Sequence, residues 1–400
     1  MDLFLSEEEN AFREEIRGFL DMELDPGLRR AERLNPCFIA HPSYGLKWQA
    51  KLANKGWAVP AWPPEYGGPD WTLTQRYIFD QECERQGEPR FRTQGIKMLA
   101  PVLMRYGTPE QKSYHLPRIL SGEDVWAQGY SEPGAGSDLA ALRTKAVRDS
   151  DHYVVNGSKI WASLAHESTH IFSLVRTADT GKKQEGITFL LMALDAEGIT
   201  IRPIKSICGS HEFNEVFFDD VRVPVANRVG EEGRGWEVSK YLLEFERGGN
   251  PAGGMLRAWH GRLLRLASAR GPDGQRAIDD PVFAARFAEI GTDIDANDMI
   301  ELMAMSKVQA GNNPGSIASS VMKIERSRIR QAISELAAMV VGIDAIRWEP
   351  RRPLSDLPEE PQLEEERKVA SAIYFNSRSQ SLLGGSNEIQ LEILARDLLR

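Results

Sequence analysis

Between about residues 124 and 224 the chain changes texture, and that change constrains its fold more than any other feature. Short β-branched or alternating runs follow one another there: 145–148, 152–155, 158–161, 171–175, 187–191, 199–204 and 215–223. Asn156-Gly157 reads as a hairpin turn between the second and third runs. Many short strands with no helical pattern between them predict a β-barrel or sandwich. On both sides the pattern is helical. Ser6 with Glu9 three residues on is a capping box. Ala11, Phe12, Ile16, Phe19 and Leu20 then make one apolar stripe. Pro26-Gly27 breaks that helix, and the run Pro60-Ala61-Trp62-Pro63-Pro64-Glu65-Tyr66-Gly67-Gly68 reads as a rigid loop. After Pro224, helical patterns cover roughly 234–247, 255–269, 281–308, 315–340, 363–382 and 387–400, with a Pro-rich acidic linker over 349–362. The order is α, then β, then α. It predicts an N-terminal α-helical domain over 1–123, a middle barrel or sandwich domain over 124–230 and a C-terminal helical domain over 231–400.

Charge and cysteine usage narrow the function. The formal net charge of −9 argues against sequence-independent nucleic-acid binding, which needs a surplus of Lys and Arg. Cys37, Cys83 and Cys208 are far apart in sequence, so no disulfide framework is expected and a reducing compartment is. The acidic start, Met1 to Glu9, is unlike a secretory signal, and no stretch nears the roughly 20 apolar residues of a membrane span. A cytoplasmic protein without a membrane span is expected.

Two short motifs read in more than one way. His166-Glu167-Ser168-Thr169-His170 matches the His-Glu-x-x-His zinc pattern, which would make the chain a zinc hydrolase. That chemistry needs both imidazoles on one helix face, whereas residues 169–175 read as a strand, so no metal is expected. Gly134-x-Gly136 could open a dinucleotide fingerprint, but Leu139 stands where the third glycine belongs and strands follow. The same small residues, followed by Ser137, suit either a plain turn or a backbone cradle for a phosphate or ring edge.

Neighbouring motifs decide between these. The run Gln128-Gly129-Tyr130-Ser131-Glu132-Pro133-Gly134-Ala135-Gly136-Ser137-Asp138-Leu139 resembles the flavin-binding signature of acyl-CoA dehydrogenases. Tyr106-Gly107-Thr108-Pro109-Glu110-Gln111-Lys112 precedes it, and Asn156-Gly157-Ser158-Lys159-Ile160-Trp161-Ala162-Ser163 follows it, as in that family. Phe217-Phe218-Asp219-Asp220-Val221-Arg222-Val223-Pro224 and Gly384-Gly385-Ser386-Asn387-Glu388-Ile389-Gln390 complete the series. The resemblance implies an N-terminal α-helical domain, a middle β-barrel domain and a C-terminal four-helix bundle, with FAD as cofactor and an acyl-CoA substrate that loses an α-proton to a carboxylate and a β-hydride to flavin N5. The product is a 2-enoyl-CoA, and the electrons leave to an electron-transferring flavoprotein. Lipid or steroid catabolism is the setting it implies.

The resemblance also assigns residues. Gln128 falls to the cofactor, Tyr130 and Ser131 to the flavin ring edge, Trp161 to the ring and Ser163 to its N5 side. Ser137 falls to the CoA and flavin phosphates, and Ser386 and Glu388 to the adenine-dinucleotide half. Many members carry the base just before the C-terminal Gly-Ser, but here that position is Gly384, which takes no proton. A second branch places the base on a helix before an Arg. Leu243-Glu244-Phe245-Glu246-Arg247-Gly248-Gly249 matches it, with Glu246 as base and Arg247 after it. Ser137, Glu244, Arg247 and Gly384 fall to the substrate side, and Gly248, Gly249, Gly253 and Gly254 thin the helix carrying Glu246. Two runs that complete the FAD site across subunits in homomeric members are not matched at 281–287 and 338–344. This branch either builds a homotetramer differently or pairs with a second dehydrogenase-like subunit, and the expectation leans to the heteromer. A same-fold oxidase or monooxygenase relative, or a non-catalytic subunit, is the alternative.

Overall fold

The computed structural model describes residues 5–247, 252–271, 274–311, 315–346, 349, 351–356 and 362–399. The first helix, α1 (Glu7–Glu23), begins on the expected box: Glu9 N donates to Ser6 Oγ and Ser6 N to Glu9 Oε2. Ile16 and Leu20 are fully buried, and Phe12 and Phe19 pack on the same core. Ala11 instead faces solvent. Helices α2 (Pro26–Arg33), α3 (Pro42–Lys55), α4 (Leu73–Gln86), α5 (Ala100–Tyr106) and α6 (Pro109–Ser121) follow. A π-helical stretch, Gln94–Leu99, leads directly into α5.

The middle region is one mixed sheet of eight strands: β1 (Trp126–Gly129), β2 (Lys145–Asp149), β3 (His152–Lys159), β4 (His170–Arg176), β5 (Ile187–Ala193), β6 (Ile199–Lys205), β7 (His211–Pro224) and β8 (Arg228–Val229). The order is β6-β7-β3-β2-β4-β5-β8, and β1 pairs with β4 in parallel. Both faces of β4 and β5 are buried. Ile171, Val175, Leu190 and Met192 face a core of the sheet's own. Phe172, Leu174, Phe189 and Leu191 face the core of the N-terminal helices. Alternation by two residues thus bolts the sheet to the helices.

Asn156-Gly157 is not a hairpin turn. It lies within β3, at a bulge in the pairing with β7, and the β2–β3 turn is at Ser150, with φ +56°. Gly157 has φ +143°, and a Cβ there would lie 2.7 Å from Thr144 Cα. Asn156 Nδ2 donates to Asp220 Oδ1 (2.8 Å) and Asp220 N donates to Asn156 Oδ1 (2.9 Å). A close approach and a side-chain clamp therefore use the two residues that local chemistry assigns to a turn.

The C-terminal helices are α7 (Gly235–Arg247), α8 (Gly253–Ser268), α9 (Pro281–Gln309), α10 (Gly315–Val341), α11 (Gln362–Ser377) and α12 (Asn387–Leu398). Helix α10 packs against α8, α9, α11 and α12. Leu256, Leu263, Ile290, Ile294, Ile329, Ile333 and Leu336 form that core. Helix α7 stands apart from it. Its Val238 and Leu242 join Leu99, Val102 and Phe189, so α7 sits in the angle between the N-terminal helices and β5. Among the described residues no helix is long and apolar enough to cross a membrane.

Candidate active site

The 130–135 run leaves β1 as a tight turn in which Glu132 and Ala135 exchange both backbone hydrogen bonds. Tyr130 is buried, edge-on to Phe172 and Phe189. Ser131 O accepts from Ile160 N (2.9 Å), tying the run to the end of β3. Below it lies a buried ion pair. Lys159 Nζ donates to Glu132 Oε1 (2.8 Å) and Tyr130 O (3.2 Å). Glu132 also accepts from Thr144 N (2.9 Å) and Arg143 N (2.6 Å). Burial pushes the Lys159 ammonium down to about 8, and Glu132 opposes that shift. Burial alone would raise the Glu132 carboxyl, but Lys159 and the two backbone donors take it below the usual range. The pair is therefore ionised, and it ties two of the predicted site segments together.

The second segment is the loop after β3. Trp161 and Leu164 are both left-handed, with φ +60° and +53°, a conformation that costs a non-glycine residue energy. Trp161 is 55% exposed, with its ring edge against Phe213. Ser163, between the two, is half-buried. Ala162 N donates to Asn214 O (3.0 Å) and Leu164 N to Glu212 O (2.6 Å), so β7 carries the loop.

Next to the loop, Glu167 receives Arg92 and Arg351 together. Burial would raise its carboxyl, but His166 and the two guanidinium groups bring it down to about 2. Arg351 comes from the stretch expected to be a surface linker, and its side chain is only 6% exposed. A folded pKa below the unfolded one adds stability above pH 4–5, and that stability is lost as pH falls toward 2. Glu167→Gln is therefore expected to destabilise most above about pH 5, on the order of 3 kcal/mol. Urea unfolding of both proteins from pH 7 down to about 3 should show the gap narrowing once the pH falls below about 5.

The zinc reading does not survive this geometry. His166 lies in a 3-10 turn and stacks on His211 (3.6 Å between centroids), whereas His170 opens β4 beside Thr169. Glu167 is committed to arginines, and among the described residues no group of three His, Cys, Asp or Glu could hold a metal ion.

Helix α7 carries Glu244, Glu246 and Arg247, whose side chains lie outside the described residues, as do Gly248 and Gly249. Tyr241 on the same helix packs edge-on to Tyr106 and Phe245, under Arg105. Gly253 and Gly254 do not thin this helix; they open α8. A Cβ at Gly253 would lie 2.0 Å from Asp298 Oδ1, and one at Gly254 2.6 Å from Gln81 O, so close packing on α9 and α4 explains them.

At the C-terminus Gly384 and Gly385 both have positive φ (+61° and +84°). Ser386 caps α12, accepting from Ile389 N (3.4 Å). Glu388 is exposed, and its carboxyl is lowered by backbone and Ser386 hydrogen bonds. The partners of this segment are on α10: Lys323 donates to Asn387 and Ser320 to Gln390. Direct hydrogen bonds join 130–132, 159–164 and 212–214. Gln128 lies half-buried on β1, opposite Phe172, and Ser137 lies exposed beyond the tight turn. The residues that sequence reasoning missed are Lys159 as the partner of Glu132, Asn214, Arg92 and Arg351. Only Lys159 had a signal: it follows Tyr153 and Val155 on the buried face at a spacing of two.

Known proteins give this architecture a name. The acyl-CoA dehydrogenase N-terminal domain matches residues 6–123, the middle domain 127–221 and the C-terminal domain 233–399. The acyl-CoA dehydrogenase IpdE1 of Mycobacterium tuberculosis is 35% identical over 393 residues, covering 97% of this chain and 96% of its own. The ChsE4-ChsE5 complex from Mycobacterium tuberculosis superposes with a TM-score of 0.80 at 30% identity, over 100% of this chain and 99% of that one. The steroid acyl-CoA dehydrogenase Tcur3481-Tcur3483 does so at 0.80 and 29% identity, with the same coverage. The chain belongs to the acyl-CoA dehydrogenase family, whose members are FAD-dependent oxidoreductases.

The residues present fit that cofactor. Gly134 and Gly136 have neither a positive φ nor any atom within 4 Å of an added Cβ, so the chain's own packing does not call for glycine there. Their open backbone suits an approaching phosphate or ring edge. Trp161 presents a large apolar face from a tightly held loop, as a planar ring requires.

Proposed function

We propose that this chain dehydrogenates the α and β carbons of an acyl-CoA thioester to give the 2-enoyl-CoA, with Glu246 as the base. The observation that carries the reading is a glycine where many relatives hold the base. At the C-terminal loop Gly384 holds φ +61°, a conformation that favours glycine, so the base position of many relatives is empty of side chain. Glu246 lies on α7, whose Val238 and Leu242 join the core of the N-terminal helices and β5. When bound, FAD accepts the β-hydride. The chain's residues supply the rest. The Glu246 carboxylate takes the α-proton, and enclosure beside an acyl chain would raise its pKa and make it a better base. Charge grows on the thioester oxygen as that proton leaves, and the Gly384 N–H is the proposed donor to it. Tyr130 and Ser131 would hold the flavin ring edge, Trp161 would lie near the ring and Ser163 would reach its N5 side. Ser137 would meet the phosphates, Ser386 and Glu388 the dinucleotide half, and Glu244 and Arg247 the substrate.

The chain works beside a second dehydrogenase-like subunit, and the electrons pass to an electron-transferring flavoprotein. Support for the partner comes from two departures and one surface. The homomeric FAD-completing runs are missing at 281–287 and 338–344. At the same end of the bundle Val282, Met339 and Ile343 are exposed, with Arg286 reaching Met339. The relative solved as the ChsE4-ChsE5 complex is itself a two-component assembly. The test is to purify the chain alone, count FAD per chain, and follow oxygen consumption on adding acyl-CoA. Substoichiometric FAD, restored by a partner, with little oxygen uptake is expected. Full occupancy would contradict the heteromer, and rapid oxygen uptake would favour an oxidase.

A further inference from the structure

The loop Trp161–Leu164 raises a physical question. It holds two left-handed non-glycine residues, Trp161 and Leu164, with a large aromatic side chain exposed. Such a conformation persists only where the surroundings over-determine it. The surroundings are three consecutive residues of β7. Phe213 meets the Trp161 ring edge (5.9 Å), Glu212 O accepts from Leu164 N (2.6 Å), and Asn214 grips Ala162 at both ends. Asn214 O accepts from Ala162 N (3.0 Å), and Asn214 Nδ2 donates to Ala162 O (3.0 Å).

Asn214 is fully buried, so its amide is committed. Ala162 O can only accept, which fixes Nδ2 toward it. Oδ1 then faces His211 Nε2 (2.7 Å), and His211 stacks on His166. The amide orientation is thus set from two sides, and the loop's central peptide is set by the amide. The tie to the loop is not local: Asn214 is 52 residues from Ala162.

We infer that Asn214 is a positioning residue, whose grip on Ala162 holds Trp161 and Ser163 in place against the flavin. The inference rests on the reading of that loop as the flavin-facing one. Without the amide, the central peptide of the loop relaxes and the indole face is no longer fixed. The geometry of the bound ring relative to the acyl group then loosens.

Asn214→Leu removes the donor and the acceptor at similar size. Asn214→Asp keeps the acceptor toward His211 and replaces the donor to Ala162 O with a second acceptor. Two readouts decide. The first needs no flavin: amide hydrogen exchange at Ala162 and Leu164 should quicken roughly tenfold in both variants, the equivalent of about one lost hydrogen bond. Unchanged protection would overturn the inference, whatever the chain's function. The second uses the flavin-loaded enzyme. Its visible spectrum and midpoint potential should shift, and kcat for acyl-CoA should fall about 100-fold with KM little changed. If exchange quickens while spectrum, potential and kcat stay at wild-type values, the residue only stabilises the fold and the inference fails. If Asn214→Leu does not fold, Asn214→Asp carries the same two outcomes. A wild-type protein that binds no flavin with or without a partner would sink the proposed function, and the exchange readout would still decide for Asn214.

Discussion

Glu246→Gln is expected to bind FAD as the wild type does, yet to leave it oxidised when acyl-CoA is added. Gln has nearly the same shape as Glu, so binding contacts survive, but a neutral amide takes no proton. Loss of a general base costs about 10²- to 10⁴-fold in rate. A fall of that size in anaerobic flavin reduction, with FAD content unchanged, is the expected result. Glu244 is the informative comparison, because residues two apart on a helix point to nearly opposite sides. Glu244→Gln should therefore act on KM more than on the reduction rate. If Glu244→Gln blocks reduction and Glu246→Gln does not, the two roles exchange.

Lys159→Met should be the most damaging single change in the middle sheet. Lys159 is fully buried, and its ammonium lies 2.8 Å from a carboxylate that is 8% exposed. Removing the cation leaves Glu132 charged in a low-dielectric interior, where breaking a buried pair costs about 3–5 kcal/mol. The damage should reach the site, since the same ammonium donates to Tyr130 O. Denaturant unfolding should report the lost stability, and FAD affinity should fall with it. Lys159→Met with Glu132→Gln should recover part of the loss, because no charge is then stranded. A double variant worse than Lys159→Met alone would show that the pair is not the source of the cost.

Where local chemistry and tertiary structure agree, the sequence could be read directly. The Ser6–Glu9 box starts α1, and periodicity located the strand runs and the helix that carries Glu246. It misread Asn156-Gly157, because a turn-forming pair is equally apt where a bulge must pass close to Thr144 and clamp Asp220. It took 349–362 for a linker, because nothing local signals that Arg351 ends buried on Glu167, 184 residues away in sequence. It placed Gly253 and Gly254 with the base helix, since glycine spacing cannot say that α8 starts there and presses on α4 and α9. The resemblance singles out Tyr130, Trp161 and Ser163 as candidate site residues. What holds them, through Lys159, Glu132 and Asn214, depends on strand pairing and so appears only in three dimensions.

The central claim is that this chain takes two hydrogens from an acyl-CoA. The most direct measurement is an anaerobic titration of the flavin-loaded protein, with its partner subunit if one is needed. Straight-chain, branched and ring-bearing acyl-CoAs should be compared. The account predicts bleaching of the visible flavin band by at least one of them, with one 2-enoyl-CoA formed per flavin reduced. A flavin that stays oxidised across the panel, or bleaching without enoyl-CoA, would contradict it.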